Sequence, residues 1–354
     1  MKTGKSLVEL AQELERQQEA KQDFVASTET MEMIKGGHLL LNGTATDDNN
    51  DNYDFHVTDV AHSQIAQRLN IPLKYYKRMR NDKPELLATN VNTWFHSQPE
   101  RRMIRTLNGK ARAFLSDRYR RLDNYQLADV VLNVLADMGD GIKIESCELT
   151  EKRMYIKAIN QRLELEVKPG DVVQAGICVS NSEIGLGSLS VEPLIYRLIC
   201  TNGMIAKDYS TRKYHVGRAA EDNAFELFSD ETLKADDRAF FLKVQDTVKS
   251  AVEIAKFSQI VQQLKDATTR PIEGNPVKAV EVLSNDFKYS QQEHSGILDH
   301  LIRGADFTAY GLSNAITRTS QDLDDYDRAT DLERDGSRVL SLSQSAWKKL
   351  ATAS

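Results

Sequence analysis

Arg102-Met103-Ile104-Arg105-Thr106-Leu107-Asn108-Gly109-Lys110-Ala111-Arg112-Ala113-Phe114-Leu115 is the stretch that decides the fold class. Two alternating runs around Asn-Gly read as a β-hairpin, because both turn residues accept the positive φ that a tight turn needs. Alternation puts Arg102, Ile104 and Thr106 on one face and Met103, Arg105 and Leu107 on the other. Downstream, Asp123 or Asn124 caps a helix that carries Leu127, Val130, Val131, Val134, Leu135 and Met138 and stops at Gly139. Strand patterns follow at 142–149, 153–159, 162–167, 174–180 and 188–200, with turns at Pro169-Gly170 and Gly185-Leu186-Gly187. One helix followed by consecutive strands, without regular β–α alternation, predicts an α+β fold with a central, mostly antiparallel sheet.

Upstream, residues 6–22 read as an amphipathic helix with Leu7, Leu10 and Leu14 at helical spacing, docking on the body or on another subunit. A strand is expected at His38–Leu41, and the Asn/Asp run 47–52 reads as a hairpin tip. A calcium loop would need a Gly and a Glu at fixed spacing that this run lacks. Thr58 caps a helix bearing Ile65, Ala66 and Leu69; Asn70-Ile71-Pro72 breaks it, and a second short helix starts at Leu73. After Gly217 the chain turns helical and acidic. A single helix capped by Ser229 is expected over 230–267, then a hinge at Pro271 and Pro276, then a helical region 277–354 whose acidic run 322–327 reads as a solvated helix face. The expected divisions are a helix and linker over 1–35, an α+β core over 36–217, and a helical region over 218–354.

Hydrophobic residues at 40% and charged residues at 28% exclude wholesale disorder. No run approaches the ~18 apolar residues of a membrane span, and the first residues lead into a charged helix without a signal-peptide segment. Cys147, Cys178 and Cys200 are odd in number and lack a C-x-x-C pair, which argues against a disulfide framework or structural zinc site. A protein of the cytoplasm that crosses no membrane is the expectation.

Charge is unevenly placed. Between Arg68 and Arg121 stand fourteen Lys/Arg and four acids, a window of +10 in a chain of net −6, so the remainder is −16. A local positive field attracts phosphates, while the acidic remainder repels non-specific contacts. Tyr75, Tyr76, Trp94, Phe95, Phe114 and Tyr119 lie among these cations, and rings beside cations are what single-stranded nucleic acid recognition needs. The predicted contact residues are Lys74, Tyr75, Tyr76, Lys77, Arg78, Arg80, Arg101, Arg102, Arg105, Arg112, Arg118, Tyr119, Arg120 and Arg121. The competing reading puts the cations on solvated helix faces and the rings in the core. Residues 63–71 followed by Tyr76 and Arg78 also resemble a helix-turn-helix, with Asn70 where that pattern usually has glycine.

Catalytic signals are weak. No P-loop string occurs, and Gly185-Leu186-Gly187-Ser188 lacks the third glycine of a dinucleotide fingerprint. His56, Asp59 and His62, and separately Glu293, His294, Asp299 and His300, lack the arrangement of a metal site, so no metal or cofactor is predicted. Asn181, Ser182 and Glu183 with Asn202 form the remaining polar set. In it Glu183 is a candidate general base and Cys178 or Cys200 a candidate nucleophile, against the reading that these groups merely close turns.

Three stretches carry a resemblance: Arg112-Ala113-Phe114-Leu115-Ser116-Asp117-Arg118-Tyr119-Arg120, Val179-Ser180-Asn181-Ser182-Glu183-Ile184-Gly185 and Leu198-Ile199-Cys200-Thr201-Asn202-Gly203. With Asn314-Ala315-Ile316-Thr317 and Leu340 to Trp347, the chain resembles, over roughly 30–345, the phage/plasmid-like protein family catalogued as domain of unknown function 932. That resemblance implies a mobile genetic element inside a bacterial host cell, and no established reaction. The expected function is therefore non-enzymatic binding of nucleic acid, single-stranded DNA before RNA, in recombination, annealing or replication, with self-association through the helices. The alternatives are a metal-dependent nuclease or phosphoester hydrolase using Glu183, and a host-interaction protein that counters defence.

Overall fold

The computed structural model describes residues 1–43, 52–119, 121–187, 189–206, 230–251 and 253–354. Among these residues the chain forms two sheets and twelve α-helices, an α+β architecture. Helix α1 (Leu7–Ala20) opens with a capping box in which Ser6 and Glu9 satisfy each other's backbone amides. It docks on the body, burying Leu10 and Leu14. The next segment was expected as linker, but it forms strands β1 (Lys21–Ser27) and β2 (Met31–Ile34). Phe24 and Ala26, then Met31 and Met33, are its buried positions, a period of two too short to stand out in the sequence.

β3 (His38–Leu41) and β4 (Tyr53–Val57) follow; the expected hairpin tip between them falls largely outside the described residues. Three helices come next, α2 (Asp59–Arg68), α3 (Leu73–Asp82) and α4 (Pro84–Ser97). Strands β5 (Arg101–Leu107) and β6 (Lys110–Ser116) then pair antiparallel as predicted, with Asn108 at φ 51° and Gly109 at φ 70°. The six-stranded sheet has the order β1-β5-β6-β4-β3-β2, and its one parallel pair is β4 with β6, which the chain joins through the three helices and then β5.

Helix α5 (Asn124–Asp137) leads into a second, antiparallel sheet of order β11-β10-β9-β8-β7, built from β7 (Ile142–Leu149), β8 (Met154–Lys168), β9 (Asp171–Asn181), β10 (Ser190–Arg197) and β11 (Asn202–Ile205). The two strands expected at 153–159 and 162–167 are one, because the chain absorbs the polar Asn160-Gln161 as a register irregularity between Asn160 and Glu164.

The helix expected over 230–267 is two, α6 (Asp230–Ala251) and α7 (Ile254–Thr268), and its proposed cap Ser229 lies outside the described residues. The reason is packing: Val244 and Val248 join the core under α1 and α5, whereas Phe257, Val261 and Leu264 join a different core. One straight helix would serve only one of them. That second core is shared by the five-stranded sheet, through Val173, Ala175 and Ile195, with α7 and the helices α8 (Pro276–Phe287), α9 (Gln291–Gly304), α10 (Ala309–Thr319), α11 (Tyr326–Leu340) and α12 (Gln344–Ala351).

The acidic run 322–327 is not a helix face. Asp325 caps α11 by accepting from the Arg328 amide at 3.1 Å, and Asp327 accepts from the Tyr155 hydroxyl at 2.8 Å. Carboxylates suit this place because a helix N-terminus carries positive potential. On the sheet face under α11, Lys157 and Glu333 are both 0% exposed and pair at 2.7 Å. Thr330 Oγ1 accepts a second bond from Lys157 at 3.0 Å, and the ammonium lies 4.5 Å from the Tyr326 ring centroid.

Candidate nucleic-acid interface

Helices α2 and α3 realise the predicted helical pair. The Thr58 side chain accepts from the Ala61 amide, and Asn70 takes φ 54° in the turn between them. Asn is among the few non-glycine residues that tolerate this left-handed region. On α3, Tyr76 and Met79 point inward, so the 3.6-residue period turns Lys74, Lys77 and Arg78 directly outward. All three are exposed, and Tyr75 beside them is 46% exposed. Arg78 lies 3.8 Å from Asp82, one turn on. Arg80 instead folds back onto Asp59 at 2.8 Å.

Tyr76 was expected to stack on a base. It is 0% exposed and its hydroxyl meets His62 Nδ1 at 2.8 Å, so it offers no ring to a ligand. Burial holds His62 down at a pKa of about 4, with Arg80 adding to the effect. A folded pKa below the unfolded ~6.5 means full stabilisation above ~6.5 and progressive loss down to ~4, worth roughly 3 kcal/mol at most. Urea unfolding at about pH 7 and about pH 4.5 should show this loss, and His62→Gln should flatten it.

The hairpin arginines are dispersed between surface and interior. Arg101 is exposed at the start of β5, whereas Arg102 is 9% exposed and paired with Glu100. Arg105 is 0% exposed and cannot reach a phosphate. Its Nε donates to Asp23 at 3.0 Å, Nη2 to Asp123 at 2.6 Å and Nη1 to the Glu183 carbonyl at 3.0 Å. Burial opposes its charge, but Asp23 and Asp123 outweigh that and hold its pKa above the usual value. Arg112 pairs with the Glu183 carboxylate. The side chain of Arg118 is half-buried and engaged, Arg121 is exposed with Asp23 at 3.6 Å, and Arg120 lies outside the described residues. The Tyr119 hydroxyl donates to the Ser182 carbonyl at 3.2 Å, and burial raises its pKa.

These contacts form a polar seam between the two sheets. Gln64 of α2 closes it by donating to the Ile184 carbonyl at 2.7 Å and accepting from the Phe114 amide at 2.8 Å. Sequence reasoning missed the partners Asp23, Asp123 and Asn124. The available signal was Arg105 itself, a cation alternating with Met103 and Leu107 on an apolar strand face, where only buried carboxylates make it tolerable.

The alternative polar set is not one site. Glu183 is 6% exposed and fully committed, Oε1 accepting from the Asn124 amide at 2.6 Å and Oε2 from Arg112. Asn181 Nδ2 donates to Asn124 Oδ1 at 2.8 Å, and the Ser182 hydroxyl accepts from the Leu186 amide at 3.2 Å, closing the predicted Gly-Leu-Gly turn. Asn202 sits elsewhere, donating to Thr317 Oγ1 at 2.6 Å. Ser190 pairs with Ser180 and Arg197 with Asn202, so about seven residues of β10, roughly 23 Å, separate the two ends.

Cys178 is fully buried and its thiol is pushed up to about 12, which removes it as a nucleophile. The candidate histidine clusters are also dispersed: Glu293 binds Arg328, His294 meets Ser284, His300 meets Asp322, and His56 packs on His38. Among the described residues no three His, Cys, Asp or Glu come together in a way that would hold a metal ion, and no helix is long and apolar enough to cross a membrane.

The structure thus joins the quoted motifs in pairs, 112–120 with 179–185 through Arg112–Glu183 and Tyr119–Ser182, and 198–203 with 314–317 through Asn202–Thr317. No curated protein and no solved structure matches the chain. A family model does match, over residues 113–347, beginning in β6 and taking in the five-stranded sheet and the C-terminal helices while leaving out α2 to α4. The match is shorter at its start than the resemblance suggested, yet it spans about two thirds of the chain, which therefore belongs to the family described as Domain of unknown function (DUF932).

Proposed function

We propose that the protein binds nucleic acid, single-stranded DNA foremost, through the outward face of α3. The observation that carries this reading is the stripe of Lys74, Lys77 and Arg78 beside the exposed Tyr75. Among the described residues Arg78 is the one of the three cations with an ion-pair contact, long and solvated, to Asp82, while Lys77 feels Asp59 at longer range. Such cations hold phosphates, and an exposed ring beside them stacks on an unpaired base. The mobile-element setting implied by the resemblance is one in which single strands arise. Arg105 has no part in this role because its guanidinium is enclosed and held by Asp23, Asp123 and the Glu183 carbonyl, and Arg112 is held by the Glu183 carboxylate.

The test is fluorescence anisotropy of labelled single- and double-stranded oligonucleotides over a range of salt, with and without magnesium. Replacing Lys74, Lys77 and Arg78 together by Ala should weaken binding and lower the slope of log K against log salt by about 2–3. Equal binding by that variant would overturn the placement on α3. No binding even at low salt would overturn the function and leave the basic helix as a docking face for an acidic protein. Magnesium-dependent loss of the probe, abolished by Glu183→Gln, would instead favour the hydrolase alternative, which the double engagement of Glu183 speaks against.

A further inference from the structure

Beside the turn that leads into α3 lies a pocket of about 350 Å³, lined by Leu69 and Asn70 of that turn and by Arg68, Trp94, Gln98, Glu100 and Arg102. That volume is at the lower end for small-ligand sites. Its charge is unbalanced. Arg68 Nε donates to Glu100 Oε2 at 2.7 Å, and the Nη2 groups of Arg68 and of Arg102 pair with the same carboxylate. Two guanidinium groups share one carboxylate, which leaves a formal +1 in the pocket.

Arg102 is 9% exposed, and its Nε is buried without a hydrogen-bond partner. A buried N–H left unpaired is costly, and a small turn of the Arg102 guanidinium toward the pocket would let an anionic oxygen satisfy it. Trp94 is 44% exposed although α4 packs through Leu87, Val91 and Phe95, so its indole is not needed by the core. An aromatic wall next to paired guanidinium groups matches one ligand chemistry, a planar base joined to a phosphate.

We propose that this pocket holds one unpaired nucleotide, with its phosphate at Arg68 and Arg102 and its base on Trp94, where the amides of Asn70 and Gln98 meet the base edge. The source of that nucleotide as part of a strand rests on the reading of α3 given above. A duplex has no base to offer, so the pocket supplies the preference for single strands.

Intrinsic fluorescence tests the proposal on the full chain, because the two tryptophans are Trp94 and Trp347 and the latter is buried against Arg270. Thymidine monophosphate, inorganic phosphate and an oligothymidylate are titrated separately, with anisotropy of the labelled oligonucleotide in parallel. Saturable quenching by the nucleotide and the oligonucleotide is expected, abolished in Trp94→Phe and about tenfold weaker in affinity in Arg68→Ala. Unaltered emission while the oligonucleotide still binds by anisotropy would sink the pocket and leave α3 standing. Quenching by the mononucleotide without oligonucleotide binding would support the pocket and sink the reading of α3. Equal affinity for inorganic phosphate and the nucleotide would overturn recognition of a base.

Discussion

Replacing Arg105 by Ala is expected to lower the unfolding free energy by about 3–5 kcal/mol, measured by urea denaturation. The guanidinium is wholly enclosed and serves Asp23, Asp123 and the Glu183 carbonyl at once. Removing it takes a donor from two carboxylates and a carbonyl at the joint between the sheets, leaving Asp123 to Lys21 and Asp23 to the more distant Arg121. Arg105→Lys should recover only part of the loss, since a point charge cannot reproduce a planar fork aimed at three acceptors. A change below about 1 kcal/mol in Arg105→Ala would mean that water enters the seam and that these arginines are available to ligands after all.

The second large effect is expected at Lys157. Lys157→Met should cost about 3–5 kcal/mol, because Glu333 would lose the ammonium it pairs with in a place with no exposure to solvent. The double replacement Lys157→Met with Glu333→Leu should recover most of that loss, since apolar groups of similar volume remove both charges together. If the double variant were as unstable as the single one, the pair would matter for the seating of α11 on the sheet through Thr330 and the Tyr326 ring, rather than through charge compensation.

Local rules carried much of the fold. The Asn108-Gly109 hairpin, α5, the strand at His38–Leu41 and the α2–α3 pair with its left-handed Asn70 were legible because each is set by a few neighbouring residues: a turn conformer, a cap, a period. β1 and β2 were not legible: the partner of β1 lies far along the chain, Lys21 pairing with Leu107, and β2, though it pairs with the neighbouring β3, Met31 with Leu41, is only four residues long. The break between α6 and α7 was hidden too, since it answers to two separate cores and leaves no proline or glycine in the sequence.

The candidate site divides in the same way. Composition alone determined that a +10 block sits in an acidic chain and that rings accompany it. In the sequence Tyr76 grouped with Lys74, Lys77 and Arg78, and the placement of α3 in the structure set it apart from them on the inward face. Only the tertiary structure decided which arginines face solvent, because that depends on carboxylates from distant segments: Asp23 and Asp123 take Arg105, Glu183 takes Arg112, and Glu100 takes both Arg68 and Arg102. Charge is a property of the residue and can be counted in a sequence. Whether that charge is spent inside or offered outside is a property of the packing, because an ion leaves water only where its counter-ions are already in place.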